Sequence, residues 1–322
     1  MCTQRQRQNT QRPPCVLFVL LFALCALFLA CGAERTGEMS QPTPQAPALS
    51  ARVVARYPHD SSAFTQGLAF VSEGPLKSAL LMSQGQYGES ALSVRSLESA
   101  RPSHKSALPS SRFAEGVTAL GERGLLLTWR AGEALLYQLP SALSEPLTTL
   151  SLLRYRGEGW GVAYHPTQGL VYSDGSATLR WLNSTPLLAQ DPPEEGAPLE
   201  VVRELVVREG GRPLYQLNEL EWVGALLIAN VWRQERLVLI NPSSGEVVAS
   251  VNLEGLLSSE ERPASFNPSS DVLNGVAWRP REGFNPAKSR DLAHLTREGG
   301  QLLVTGKRWP LLYELELEAL AP

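Results

Sequence analysis

Beyond residue 31 the sequence contains no cysteine: Cys2, Cys15, Cys25 and Cys31 all fall at its start. That absence removes a thiol nucleophile, a disulfide framework and a thiolate metal site from the chemistry open to the folded part. Histidine is scarce as well. His59, His104, His165 and His294 are scattered, without the spacing that metal ligation uses. No basic stripe appears outside the N-terminus, so nucleic acid lacks an electrostatic footprint. Phosphate-cradling glycine loops and serine-centred nucleophile elbows are missing. From Ala51 onward almost nothing recurs at the spacing of an amphipathic helix. Nothing in the sequence asks for a cofactor or a metal.

One long apolar run is present, and it stands at the front. Val16 to Ala30 reads VLFVLLFALCALFLA behind Arg5, Arg7 and Arg12. It is shorter than the roughly 20 residues a spanning helix needs, and its flanks are those of an export signal. The run closes on LFLAC, and a cysteine at that place is where bacterial lipoproteins are cleaved and lipidated, although Phe28 stands where leucine is usual. Residues 1–31 are expected to be a signal segment with Cys31 as the lipidation site; plain secretion or a retained anchor are the alternatives. Residues 32–50, rich in Pro, Ser and Thr, read as a flexible tether, and 51–322 as the folded domain. That domain is expected in the periplasm or on a membrane, which it touches only through the lipid, or else secreted. Without its first 30 residues the chain keeps 26 basic and 32 acidic side chains, a formal charge of −6 against −3 for the whole.

The rest of the sequence repeats itself. TQGLAF, AEGVTAL, GWGVAYHP, LNELEWV and LNGVAW begin five similar segments near residues 66, 115, 160, 218 and 274. Each leads through a turn to a second apolar run ending in a small polar residue: LLMSQG, LLLTWR, LVYSDG, LLIANVW and LLVTGK. A third run and an outer one follow. Four short strands recurring about every 45 to 58 residues predict an all-β, five-bladed β-propeller with four-stranded antiparallel blades. One such sheet cannot cover both its faces, so the repeats must pack on one another and close. ARVVARYP, from Ala51, has no unit of its own and is expected to close the ring as the outer strand of the last blade. A two-sheet sandwich is the alternative.

In a propeller the first strands line the axis, so their entrances converge. Aligning the repeats makes Gln66, Glu115, Trp160, Asn218 and Asn274 equivalent, and likewise Gln84, Trp129, Asp174, Trp232 and Lys307 at the ends of the second strands. A polar and aromatic pocket around Glu115 follows. Asn218 and Asn274 have an alternative use in satisfying turn backbone, and Asp174 in YSDGS reads as a turn. Trp181, Trp222, Trp278 and Trp309 read as packing. A carboxylate desolvated among indoles has its pKa raised towards neutrality and can act as both acid and base.

The motifs AFTQGLAF, FAEGVT, GWGVAY, YSDGS, LNELEW, DVLNGVAW and VTGKRWPLLYELEL resemble, in order, those of the plant-type glutaminyl-peptide cyclotransferases, also found in bacteria, over about residues 52 to 318. The resemblance implies a five-bladed propeller. It implies an enzyme, acting on peptides or proteins with an N-terminal glutamine, that forms pyroglutamate and releases ammonia without a metal. By motif, Glu115 corresponds to the essential carboxylate, and Phe64, Gln66, Trp129, Trp160, Asn218, Trp232 and Lys307 to the pocket lining. Met82, Glu89, Arg233 and Glu235 depart from the family pattern, around the rim rather than at the carboxylate. A monomer is expected. The competing readings are a non-catalytic exported module that binds peptide or carbohydrate, and a metal-dependent lactonase-like propeller, which would need more axial acids or histidines.

Overall fold

The computed structural model describes residues 46–283 and 299–319. The apolar leader with Cys31, most of the tether, and residues 284–298 of the polar insertion in the last repeat lie outside that range.

Strands dominate. After β1 (Ala48–Pro58) come β2 (Thr65–Phe70), β3 (Ala79–Gln84), β4 (Ala91–Ser96) and β5 (His104–Ala107), an antiparallel sheet in chain order. A second such sheet comprises β6 (Ala114–Leu120), β7 (Arg123–Thr128), β8 (Glu133–Gln138) and β9 (Thr148–Arg154). The third comprises β10 (Val162–His165), β11 (Gly169–Tyr172), β12 (Thr178–Leu182) and, after the short helix α1 (Thr185–Leu188), β13 (Val201–Val206). A small hairpin follows, β14 (Arg208–Glu209) and β15 (Arg212–Pro213).

The remaining strands are β16 (Leu217–Val223), β17 (Leu226–Val231), β18 (Arg236–Ile240), β19 (Val247–Asn252), β20 (Leu273–Pro280), β21 (Gly300–Gly306) and β22 (Leu311–Ala319). Together with β1 they form one sheet in the order β16-β17-β18-β19-β1-β22-β21-β20. Its two antiparallel halves meet at a short parallel seam, where Ala48 and Leu49 pair with Ser250 and Val251. The strand thus starts three residues ahead of the boundary read from the sequence. From Leu49 to Pro58 the same strand runs antiparallel to β22.

The second strands are unbroken apolar runs because both of their faces are covered. Leu80 and Leu81, Leu125 to Leu127, Leu227 to Ala229 and Leu302 to Val304 are all essentially inaccessible. Each interface joins neighbours in turn. Val94 shares an apolar cluster with Leu126, Leu127 with Leu170, Val171 with Leu227, Ile228 with Leu302, and Leu303 with Leu80. A sandwich would have one such interface; the described residues form several. The first strands also contact one another in turn: β2 lies against β6, β6 against β10, β10 against β16, β16 against β20 and β20 against β2.

Where first strands meet, backbone approaches backbone. A Cβ at Gly116 would lie 2.5 Å from the Trp160 carbonyl oxygen and 2.8 Å from the Val162 nitrogen, atoms that cannot swing away. Glycine is needed for the Gly116 N–H to reach that carbonyl, at 2.6 Å. Gly116→Ala is therefore expected to destabilise the protein by about 2–3 kcal/mol, read as a lower denaturation midpoint.

The small polar residues that end the second strands serve the same junction. Ser83 donates to the Glu115 carbonyl, Ser173 donates to the Asn218 carbonyl at 2.7 Å, and Asn230 donates to the Leu273 carbonyl at 3.1 Å. Each bond ties one unit to the first strand of the next.

Candidate active site

Four of the first strands carry a register shift at the same place. Pairing skips a residue between Thr65 and Gly67, between Ala114 and Val117, between Leu217 and Leu220, and between Leu273 and Val276. A bulge takes a residue out of the ladder and re-aims its side chain. The residues within these shifts include Gln66, Glu115, Asn218 and Asn274. In the third sheet Trp160 lies just ahead of β10, its N–H bonded to the Ser173 carbonyl at 2.9 Å. Main-chain bonds hold the ends of the second strands beside these entrances: Trp129 N–H to the Phe113 carbonyl, Trp232 to Gln216 and Lys307 to Val272, at 2.8 to 3.0 Å.

The result is one cavity of about 260 Å³ lined by Phe64, Gln66, Glu115, Trp129, Trp160, Asn218, Trp232 and Lys307, with Gln86 and Phe113 in addition. All eight pocket residues expected from the sequence meet there. Gln84 and Asp174, aligned with Trp129 and Lys307, do not. The Gln84 amide turns to the Glu89 carbonyl, and Asp174 accepts the Ser176 N–H and pairs with Arg180. Trp181, Trp222, Trp278 and Trp309 are buried in the apolar interfaces. No group of three or more His, Cys, Asp and Glu side chains comes together as a cation site among the described residues.

A chain of amides runs across the pocket wall, and its direction is set by main chain. Asn274 Nδ2 faces the Thr65 and Gln66 carbonyls at 2.9 and 3.0 Å, which fixes that end as the donor. It also donates to Gln66 Oε1 at 3.1 Å, so Gln66 must present Nε2 to Glu115 Oε1, at 3.2 Å. On the other side Asn274 Oδ1 accepts from Asn218 Nδ2 at 2.7 Å, which leaves Asn218 Oδ1 as a buried acceptor with no partner among the described residues. Asn274 is thus the hub of the site.

Glu115 is 6% exposed. Burial raises its carboxyl well above the usual range; the Lys307 charge opposes the shift and the Glu158 charge adds to it. Burial also lowers the Lys307 ammonium from its ordinary value, against the pull of Glu115 and Glu219. Lys307 Nζ lies 4.9 Å from the centre of the Phe64 ring. Glu219 stands where β2, β6 and β20 carry Gly67, Gly116 and Gly275, and its Oε2 crosses to accept the Leu68 N–H at 2.9 Å. Phe64, Phe113 and Tyr87 meet edge to face, as do Phe113 with Trp129 and Trp160 with Trp232.

Two lining residues escaped the sequence reading. Phe113 had a signal: FAEG repeats the FTQG of Phe64 to Gly67. Gln86 had none, because a left-handed backbone at φ 91° brings it in.

A sequence profile described as glutamine cyclotransferase matches residues 23–317. A glutaminyl-peptide cyclotransferase of Arabidopsis thaliana is 32% identical over 272 residues, covering 83% of this chain and 71% of that protein. The crystal structure of Myxococcus xanthus glutaminyl cyclase superposes with a TM-score of 0.67 at 29% identity, over 86% of this chain and 100% of the other.

Proposed function

The chain belongs to the glutamine cyclotransferase family, and we propose that it closes the N-terminal glutamine of peptides or proteins into pyroglutamate, with Glu115 carrying the proton. The observation that carries the reading is one buried carboxylate among three indoles, hydrogen-bonded to Gln66 and facing the charge of Lys307.

In the reaction the substrate α-nitrogen attacks its own side-chain carboxamide carbon. The new N–C bond forms the five-membered ring, and the old C–N bond breaks to release ammonia. Proximity already favours the closure. Glu115 accepts a proton from the α-nitrogen and delivers it to the departing nitrogen, so no net proton is consumed. The donor and acceptor inventory supports the other roles. Gln66 has both amide ends engaged and orients Glu115. Asn218 Oδ1 is left to accept from a substrate N–H. Lys307 is the cation available to the oxygen that gains charge in the tetrahedral intermediate. The aromatic walls of Phe64, Trp129, Trp160 and Trp232 enclose the glutamine and exclude water.

The finer architecture fits the same reading. Five units with five successive interfaces support a five-bladed propeller, closed by β1 as the outermost strand of the last blade. We further propose that the domain is exported, held to a membrane through lipidated Cys31, and active as a monomer, since one chain supplies the whole pocket.

None of these steps passes through a metal. Purified protein is expected to release ammonia from a Gln-initiated peptide equally well with and without chelator. Binding of such peptides without ammonia release would instead favour a non-catalytic module, and loss of release on chelation would favour metal chemistry.

A further inference from the structure

Glu158 lies in the loop between β9 and β10, two residues ahead of Trp160, and takes no part in the chemistry above. Its Oε2 accepts the indole N–H of Trp129 at 2.8 Å and that of Trp160 at 3.0 Å. Its Oε1 accepts from Arg130 Nε at 2.9 Å, and the Arg130 guanidinium stacks 3.8 Å from the centre of the Trp129 ring. The loop itself is tied down, since the Gly159 N–H donates to the Trp129 carbonyl at 3.2 Å.

One carboxylate therefore fixes two walls of the pocket that come from different sheets. An indole has a single donor, and where that donor is held the ring cannot turn about its axis. Neither Trp129 nor Trp160 gains its orientation from the strand ladders. Resting on the reading of Glu115 as the proton carrier, we propose that Glu158 is a positioning residue: it locks the Trp129 and Trp160 indoles against the substrate glutamine and places a fixed negative charge near Glu115.

The charge is held on. Burial opposes ionisation of Glu158, but the hydrogen bonds from Trp160, Arg130 and Trp129 outweigh it and keep the carboxyl below its ordinary value. The groups around Glu115 are Lys307 after β21, Glu219 on β16, Tyr155 after β9 and Glu158 before β10; β2 and β20 bring only neutral Gln66 and Asn274. Removing the Glu158 charge must therefore lower the Glu115 pKa. Removing Arg130, which neutralises Glu158, must raise it.

The test uses Glu158→Gln and, on the exposed rim where folding is not at risk, Arg130→Gln. Indole N–H signals of all seven tryptophans and the Glu115 carboxyl carbon are followed by NMR against pH, alongside peptide turnover. In Glu158→Gln the indole signals of Trp129 and Trp160 should move, with Trp232 following through its contact with Trp160, while Trp181, Trp222, Trp278 and Trp309 stay. The Glu115 midpoint should fall, and KM should rise about tenfold with loss of the charge-assisted bonds. Arg130→Gln should shift the midpoint the opposite way. Unmoved indoles, or midpoints that stay put or shift together, would overturn the proposal. The NMR arms do not depend on catalysis, so a wild type that releases no ammonia would sink the cyclotransferase reading alone.

Discussion

Glu115→Gln is expected to lower kcat by about 10³-fold, the scale of a lost general acid–base group, and to leave the fold intact. The substitution keeps size and keeps an oxygen for Gln66 Nε2 to meet, so the amide chain through Asn274 is undisturbed. What disappears is a group that can take a proton and return it. The stability consequence runs the other way. The folded-state pKa of Glu115 lies above its unfolded value, so its contribution to stability is complete below the unfolded pKa and is lost as pH rises through the folded one. At neutral pH the wild type bears that cost and the variant does not. Glu115→Gln should therefore melt no lower than wild type, while its ammonia release falls by about 10³-fold. A variant that loses activity because it unfolds would show the opposite melting shift.

The second large effect is expected at Lys307. Lys307→Met retains a long flexible side chain beside Phe64 and removes the cation. Loss of one charge aimed at a developing oxyanion costs about 10²–10³-fold in kcat. A titration signature should accompany it. The Lys307 charge lowers the Glu115 pKa, so its removal moves the Glu115 midpoint upwards, and more base is needed before the carboxylate is available. Loss of rate at saturating substrate, with the Glu115 midpoint shifted up, distinguishes this role from simple substrate binding, which would raise KM alone.

Much of this was legible before any coordinates. The strand–turn rhythm repeats because every unit must present the same covered second strand to both neighbours, as Leu125 to Leu127 and Leu302 to Leu303 do. The positions that converge were found by aligning those units, since equal places in a closed circuit of strands are neighbours in space. What the alignment could not supply was contact between units. Asn274 aligns with the converging entrances, but its use in turn backbone stays open in the sequence because its partners, Gln66 and Asn218, are more than 50 positions away on other strands. Glu158 carries no signal in the sequence, since its indole partners become visible only when two sheets are set side by side. Glu219 was hidden in the alignment itself. It fills a place that is glycine in all four other repeats, Gly67, Gly116, Gly161 and Gly275, and its bond to the Leu68 N–H joins β16 to β2. The small polar residues that end the second strands are legible in the repeats, but their purpose is not: Ser83 and Ser173 grip the next unit's backbone.

The account depends on a desolvated acid in the pocket whose carboxyl is held well above the ordinary glutamate range, so that it can both take and return a proton. Its most direct test is the titration of the Glu115 carboxyl carbon in the wild-type protein, assigned by its absence from Glu115→Gln. A midpoint well above the ordinary glutamate value of about 4.3 is predicted. A midpoint at or below that value would mean a solvated or tightly paired carboxylate, and would contradict the role given to it here.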